Sequence, residues 1–173
     1  MWQELDPDSH RRVWNRFDGR FDFLPSAHPE DWPSIVEPTP SLTWDLAPGQ
    51  RRPLSRYDHA ARDFGRSREG VDELADVLFA ALKRCTGEQD WVYVLDWQHA
   101  SYRFWPHRTD SVDPWPVPIV PDGDYCAFLA ADLSYGIFGH PWERTVCLFG
   151  GELTTAVADH GQPVLRRDGR APR

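Results

Sequence analysis

A chain of 173 residues is long enough for one domain, and it can bury about two thirds of its unfolded surface without metal or disulfide staples. Its formal net charge of −8 argues against a nucleic-acid binder, which needs a clustered basic face, and leaves room for a basic partner. The three cysteines Cys85, Cys126 and Cys147, with no C-x-x-C, indicate neither a disulfide framework nor a zinc ribbon. In chain order, residues 1–20 read as a short amphipathic helix. Trp2 and Leu5 precede it, Val13, Trp14 and Phe17 line one face, and Gly19 is the expected stop. Residues 21–53 are dense in proline, which blocks helix and central strand. Trp32, Ile35, Leu42 and Trp44 are apolar enough for this segment to wrap the core as an ordered loop, with a short strand near Ser41–Leu46. A short helix is expected over 54–65. The clearest one spans 69–84, where Val71, Leu74, Leu78 and Leu82 form one stripe, Ser67 is a candidate cap and Gly87 a stop.

After Gly87 the period changes to two. Trp91–Asp96 reads as a strand with Trp91, Tyr93 and Leu95 on one face, and Ala100–Trp105 as its hairpin partner, turned around Gln98-His99. Trp115–Val120 is a proline-interrupted edge segment, and Pro121-Asp122-Gly123 a strong turn. Tyr125–Ala131 is apolar on both faces, as a central strand covered on both sides would be, and Thr145–Phe149 is similar. Leu153–Ala158 starts a last helix, and the tail from Val164 is basic and loose. The fold class is therefore α+β. A single domain over 1–163 is expected to pack an antiparallel sheet of about four to six strands on one main helix, with the proline-rich N-terminal segment wrapped round it.

The chemistry-bearing residues gather between Trp91 and Gly151. His99 and His140 each neighbour a Trp, and with Asp96 or Glu143 they are candidates for a two-His, one-carboxylate site. No H-E-x-x-H, G-x-S-x-G or phosphate-cradling glycine loop is present, so neither a metal nor a cofactor is indicated. In Gly139-His140-Pro141-Trp142-Glu143, Gly139 allows a left-handed turn and Pro141 fixes φ. Asp122, Asp124 and Asp132 flank one strand as turn residues. Over 109–153, seven acids stand against Arg144 alone, a net −6 that folding is expected to bring together.

Phe21-Asp22-Phe23-Leu24-Pro25-Ser26, Leu95-Asp96-Trp97-Gln98-His99, Pro121-Asp122-Gly123-Asp124-Tyr125 and Phe138-Gly139-His140-Pro141-Trp142-Glu143 together resemble a bacterial family, domain of unknown function 2716, over about residues 10–155. That resemblance carries no activity, cofactor or catalytic residue. In size and style the chain is also similar to small immunity or antitoxin-like proteins, an analogy resting on no residue.

Three functional readings follow. The leading one is non-catalytic binding of a basic protein through an acidic, aromatic rim of Trp97, Trp115, Asp122, Asp124, Trp142 and Glu143. The second is a small metal-dependent or acid–base hydrolase using His99, His140 and Glu143. The third is small-ligand binding in an aromatic pocket, which the nine Trp and nine Phe permit. No apolar run reaches the roughly 18 residues of a membrane span and the first 20 residues are polar, so the cytoplasm is the expected location.

Overall fold

The structure, a computed structural model, describes residues 1–46, 68–110 and 115–158. The helix expected over 54–65, the cap at Ser67 and the basic tail lie outside them. Seven strands form one antiparallel sheet: β1 (Trp2–Glu4), β2 (Ser41–Asp45), β3 (Val92–Asp96), β4 (Tyr102–Phe104), β5 (Cys126–Ala130), β6 (Gly136–His140) and β7 (Thr145–Phe149). Their order is β1-β4-β3-β5-β6-β7-β2, so the chain begins at one edge, crosses to the other, and then fills the middle. Helices cover both faces: α1 (Pro7–Phe21) on one, α2 (Arg68–Cys85) and α3 (Gly151–Ala158) on the other.

The α+β class and the antiparallel sheet agree with the sequence reading; the strand count exceeds it by one. β5 is the central strand, and β5, β6 and β7 are buried at every position because both faces are covered. Side-chain alternation splits the core in two. Val92, Val94, Phe128, Ile137 and Leu148 pack under α2 and α3 with Leu74, Leu78 and Leu82; Leu95, Leu129, Phe138 and Phe149 pack under α1 with Val13, Phe17 and Phe21.

Helix α1 starts where Asp6 accepts hydrogen bonds from the N–H groups of Asp8 and Ser9, with Pro7 in the first turn. It runs through Gly19 and stops at Asp22, whose left-handed φ of 47° ends the ladder. Gly19 is an exposed helical residue, since the buried stripe at Val13, Phe17 and Phe21 continues past it. The proline-rich stretch does wrap the core: Ile35 is fully buried and Val36 donates to the Phe21 carbonyl. Trp115–Val120 forms no strand; Pro116 and Pro118 lack the N–H a ladder needs, although Val117, Ile119 and Val120 are buried.

Cys126 and Cys147 sit on strands separated by β6 and face opposite layers, so they are not neighbours. Burial pushes the Cys126 thiol up to about 12 and also raises that of half-buried Cys85. A thiol-specific dye should therefore modify Cys85 slowly and leave Cys126 and Cys147 untouched until the protein is denatured. The melting temperature should be the same with and without reductant, and a large drop on reduction would contradict this.

Candidate functional site

One end of the sheet gathers most of the candidate residues. Register fixes this, because Asp96 pairs with Cys126, Cys126 with Gly139, and His140 with Thr145. The β3–β4 turn (Trp97–His99), the approach to β5 (Asp122–Tyr125) and the β6–β7 turn (Trp142–Arg144) therefore share an end. Gln98 makes the first of these turns tight with a φ of 67°. The seven acids of 109–153 do not all come with them. Successive antiparallel turns alternate ends, which sends Asp132 and Glu152 to the opposite side, while Asp96 joins from β3.

His140 ends β6 and lies inside rather than on a turn, only 1% exposed. Its Nδ1 accepts the backbone N–H of Glu143 at 3.0 Å. A nitrogen that accepts carries no proton, so in the neutral ring the hydrogen is on Nε2. Nε2 then donates to Ser34 Oγ at 3.0 Å. Ser34 Oγ passes its proton toward Tyr125 Oη at 2.8 Å, and Tyr125 donates to the Ser26 carbonyl at 2.9 Å. The Ser26 N–H returns a bond to Tyr125 Oη at 3.0 Å. Ser34 is fully buried and held at a φ of 64° by bonds from its N–H to Asp31 and from Leu24 to its carbonyl. Burial raises the Tyr125 phenol above its ordinary value, and the bonds to Ser34 and Ser26 oppose that.

This network resembles a Ser–His pair only in its residue types. A nucleophilic serine needs an imidazole nitrogen that accepts its proton. Here Nε2 points a proton at Ser34, and moving that proton to Nδ1 would set it against the Glu143 N–H. The bonds instead tie the wrapping loop to β5 and β6. Tyr125→Phe should lower stability by about 1–3 kcal/mol, because the buried Ser34 hydroxyl and Ser26 N–H lose their partner. Chemical denaturation measures this, and an unchanged midpoint would show the network to be idle.

His99 is separate and exposed, its Nε2 3.4 Å from Asp124. Burial raises the Asp96 carboxyl above its ordinary value, with nearby His99 opposing and Asp124 reinforcing the rise. Glu143 accepts from Thr145 Oγ1 at 3.0 Å. Among the described residues no group of three His, Cys, Asp or Glu side chains could hold a metal ion. Half-buried Trp97 and Trp142 meet edge to face, 6.0 Å apart, both against Tyr125. Asp122 is exposed in the turn before β5, at the same end of the sheet. Trp115 is not part of this end: its ring packs against Trp2, Phe79, Phe104 and Phe128 under α2. A surface depression of about 650 Å³ lies where α2 ends and α3 begins, and its lining of Arg84, Cys85, Gly151, Glu152, Thr155 and Ala156 includes no aromatic ring.

Sequence reasoning missed Ser34 as the partner of His140 and Ser26 as the partner of Tyr125. Nothing local marks them; they are reached only when the proline-rich loop folds over β5 and β6. No helix among the described residues is long and apolar enough to cross a membrane.

Comparison with known proteins agrees with the resemblance read from the motifs. The chain is 29% identical over 170 residues to a Bacillus subtilis (strain 168) protein named "Uncharacterized protein YxiI", a match covering 96% of this chain and 98% of that protein. No solved structure gives a significant match. A family described as "Protein of unknown function (DUF2716)" matches residues 4–154, which takes in every strand but the first two residues of β1 and both motifs that frame the Trp97–Trp142 end; the chain belongs to this family.

Proposed function

We propose that this domain is a non-catalytic protein-binding module, immunity-like in character, that meets a basic partner at the rim formed by Trp97, Trp142, Asp96, Asp122 and Asp124. The observation that carries the reading is the pair of half-buried indoles at 6.0 Å, at the end of the sheet where Asp96 closes β3 and Asp122 and Asp124 lead into β5. Rigid aromatic anchors supply binding energy at little entropic cost, and surrounding charge supplies steering and partner choice. The raised Asp96 carboxyl adds support, since an arriving cation would favour its charged form. The direction of the His140–Ser34 bond weighs against the hydrolase reading, because the imidazole nitrogen facing the serine is a donor.

The test is a pull-down from the native host with wild type, Trp142→Ala and Asp122→Lys/Asp124→Lys, each first checked for folding. A true partner should be lost at moderate salt from both variants, with Trp142→Ala costing about 2 kcal/mol or more of binding free energy. Equal recovery by all three proteins would overturn the reading.

A further inference from the structure

A second surface of opposite character lies on the α1 side of the sheet. Helix α1 seats its rings over β6 and β7, with Phe17 on Phe138 and Phe21 on Phe149. The α1-side face of β3, β4 and β1 is less fully covered. There the register sets Gln3, Arg103 and Tyr93 in one row across the three strands. Trp91 meets Tyr93 edge to face at 4.6 Å. Trp91, Tyr93 and Arg103 are half-buried and Gln3 is exposed.

The guanidinium of Arg103 lies over the Trp91 ring, 5.0 Å from its centroid. Its Nε is buried without any hydrogen-bond partner. Neither the Arg11–Asp8 nor the His99–Asp124 ion pair involves Arg103. A partly dehydrated cation without a counter-ion among the described residues is unusual, more so in a chain with a net charge of −8. Arg16 reaches over from α1 to within 6.0 Å of the Tyr93 centroid, and donates to the Ala131 carbonyl at 3.0 Å. Arg12 and Arg20 continue the same flank of α1, one turn to either side.

We propose that Arg103 and Arg16 form a carboxylate-binding site that receives an acidic side chain of a partner polypeptide. With Nε buried and the Trp91 ring on one side of the guanidinium, the two Nη groups at its outer end are the donors left to a partner, and such a pair matches the two oxygens of a carboxylate. Phosphate has similar geometry, but nucleic acid fits less well. Binding of single strands needs open ring faces on which bases stack, and here Trp91 is faced by Arg103 and Tyr93 by Arg16. The chain's overall negative charge also repels a long polyanion but tolerates a single acidic side chain on a short segment. The site is independent of the rim at the Trp97–Trp142 end.

The test uses the full chain and a fluorescently labelled short peptide of alternating Glu and Ser, followed by anisotropy at low salt. The same peptide with Lys for Glu, and an oligothymidylate of matching length, are the comparisons. The acidic peptide should bind, free glutarate should compete with it, and Arg103→Gln should weaken it about tenfold or more. Arg16→Gln, at an exposed helix position, should weaken it too, and carries the test if Arg103→Gln does not fold. Arg84→Gln, which removes the same charge from an exposed position on α2, should leave binding unchanged. No binding, equal binding of the Lys peptide, tighter binding of the oligothymidylate, or full affinity in Arg16→Gln would each overturn the proposal.

Discussion

Leu78→Ala is expected to lower the unfolding free energy by about 2–5 kcal/mol. Leu78 is fully buried in the middle of α2, within the cluster that joins this helix to Val92, Val94, Phe128 and Leu148. Truncation removes burial and leaves a cavity between a helix and a sheet that are both fixed by other contacts, so the site cannot collapse to fill it. Phe17→Ala is the matching change in the other layer and should cost about 3–5 kcal/mol. Its ring touches Trp14, Phe21, Phe23 and Phe138, so it holds the wrapping loop as well as α1. Urea unfolding followed by tryptophan fluorescence and by far-ultraviolet circular dichroism measures both. If the domain unfolds as one unit, both variants should give coincident transitions by the two probes. A loss under about 1 kcal/mol for either would make its layer peripheral.

The elements easiest to read from the sequence were those whose periodicity has one dominant cause. The Leu74, Leu78 and Leu82 stripe marks α2 because only one face of that helix is buried. β5 and β7 could be read from continuous apolar runs, which a strand covered on both faces needs. β6 has the same environment but begins and nearly ends in glycine, Gly136 and Gly139, which read as turn residues in isolation. The structure gives another reason for them. A Cβ at Gly136 would lie 2.6 Å from the Phe128 carbonyl oxygen, and one at Gly139 2.7 Å from Cys126 Sγ. Both glycines serve close strand packing, and Gly139 is in extended backbone rather than the left-handed turn expected of it. β1 escaped notice because three residues cannot display a period, and two of them are exposed.

The site was legible by position and less so by chemistry. That the two His-bearing segments share an end of the sheet follows from counting strands, since each lies at the end of a strand running the same way. Their burial did not follow. Ring contacts from Trp32, Tyr125 and Trp142 enclose His140, and Trp32 comes from the proline-rich loop more than a hundred residues earlier. The same distance hid Ser34. The expectation that charge close in sequence is close in space failed for Asp132 and Glu152 because antiparallel strands send successive turns to opposite ends.

Gly150→Ala is expected to cost about 2–6 kcal/mol, while Gly151→Ala should be close to neutral. The pair looks uniform in sequence, yet the two residues differ in both tests a glycine can face. Gly150 has a φ of 92°, a conformation that costs a side-chain-bearing residue about 1–3 kcal/mol. A Cβ there would also collide with Tyr135 Cβ and fall 2.8 Å from its Cα, and a backbone atom cannot swing aside as the end of a long side chain can. Overpacking adds about 1–3 kcal/mol. Relief would require moving the β5–β6 turn, and Tyr135 is tied through its hydroxyl to Thr86 at 3.2 Å, just past the end of α2. Displacement would also strain the bonds that Gly150 makes to Pro40 through its N–H and to Thr154 through its carbonyl. Gly151 opens α3 with nothing within 4 Å of its would-be Cβ, and alanine there gains helix propensity. Thermal and urea unfolding of the two variants separate these cases, and equal losses would contradict the geometry. Gly150 lies at the Phe149 end of the sheet, opposite Trp142, so the folded fraction of Gly150→Ala should keep the wild-type affinity for any partner of the acidic rim.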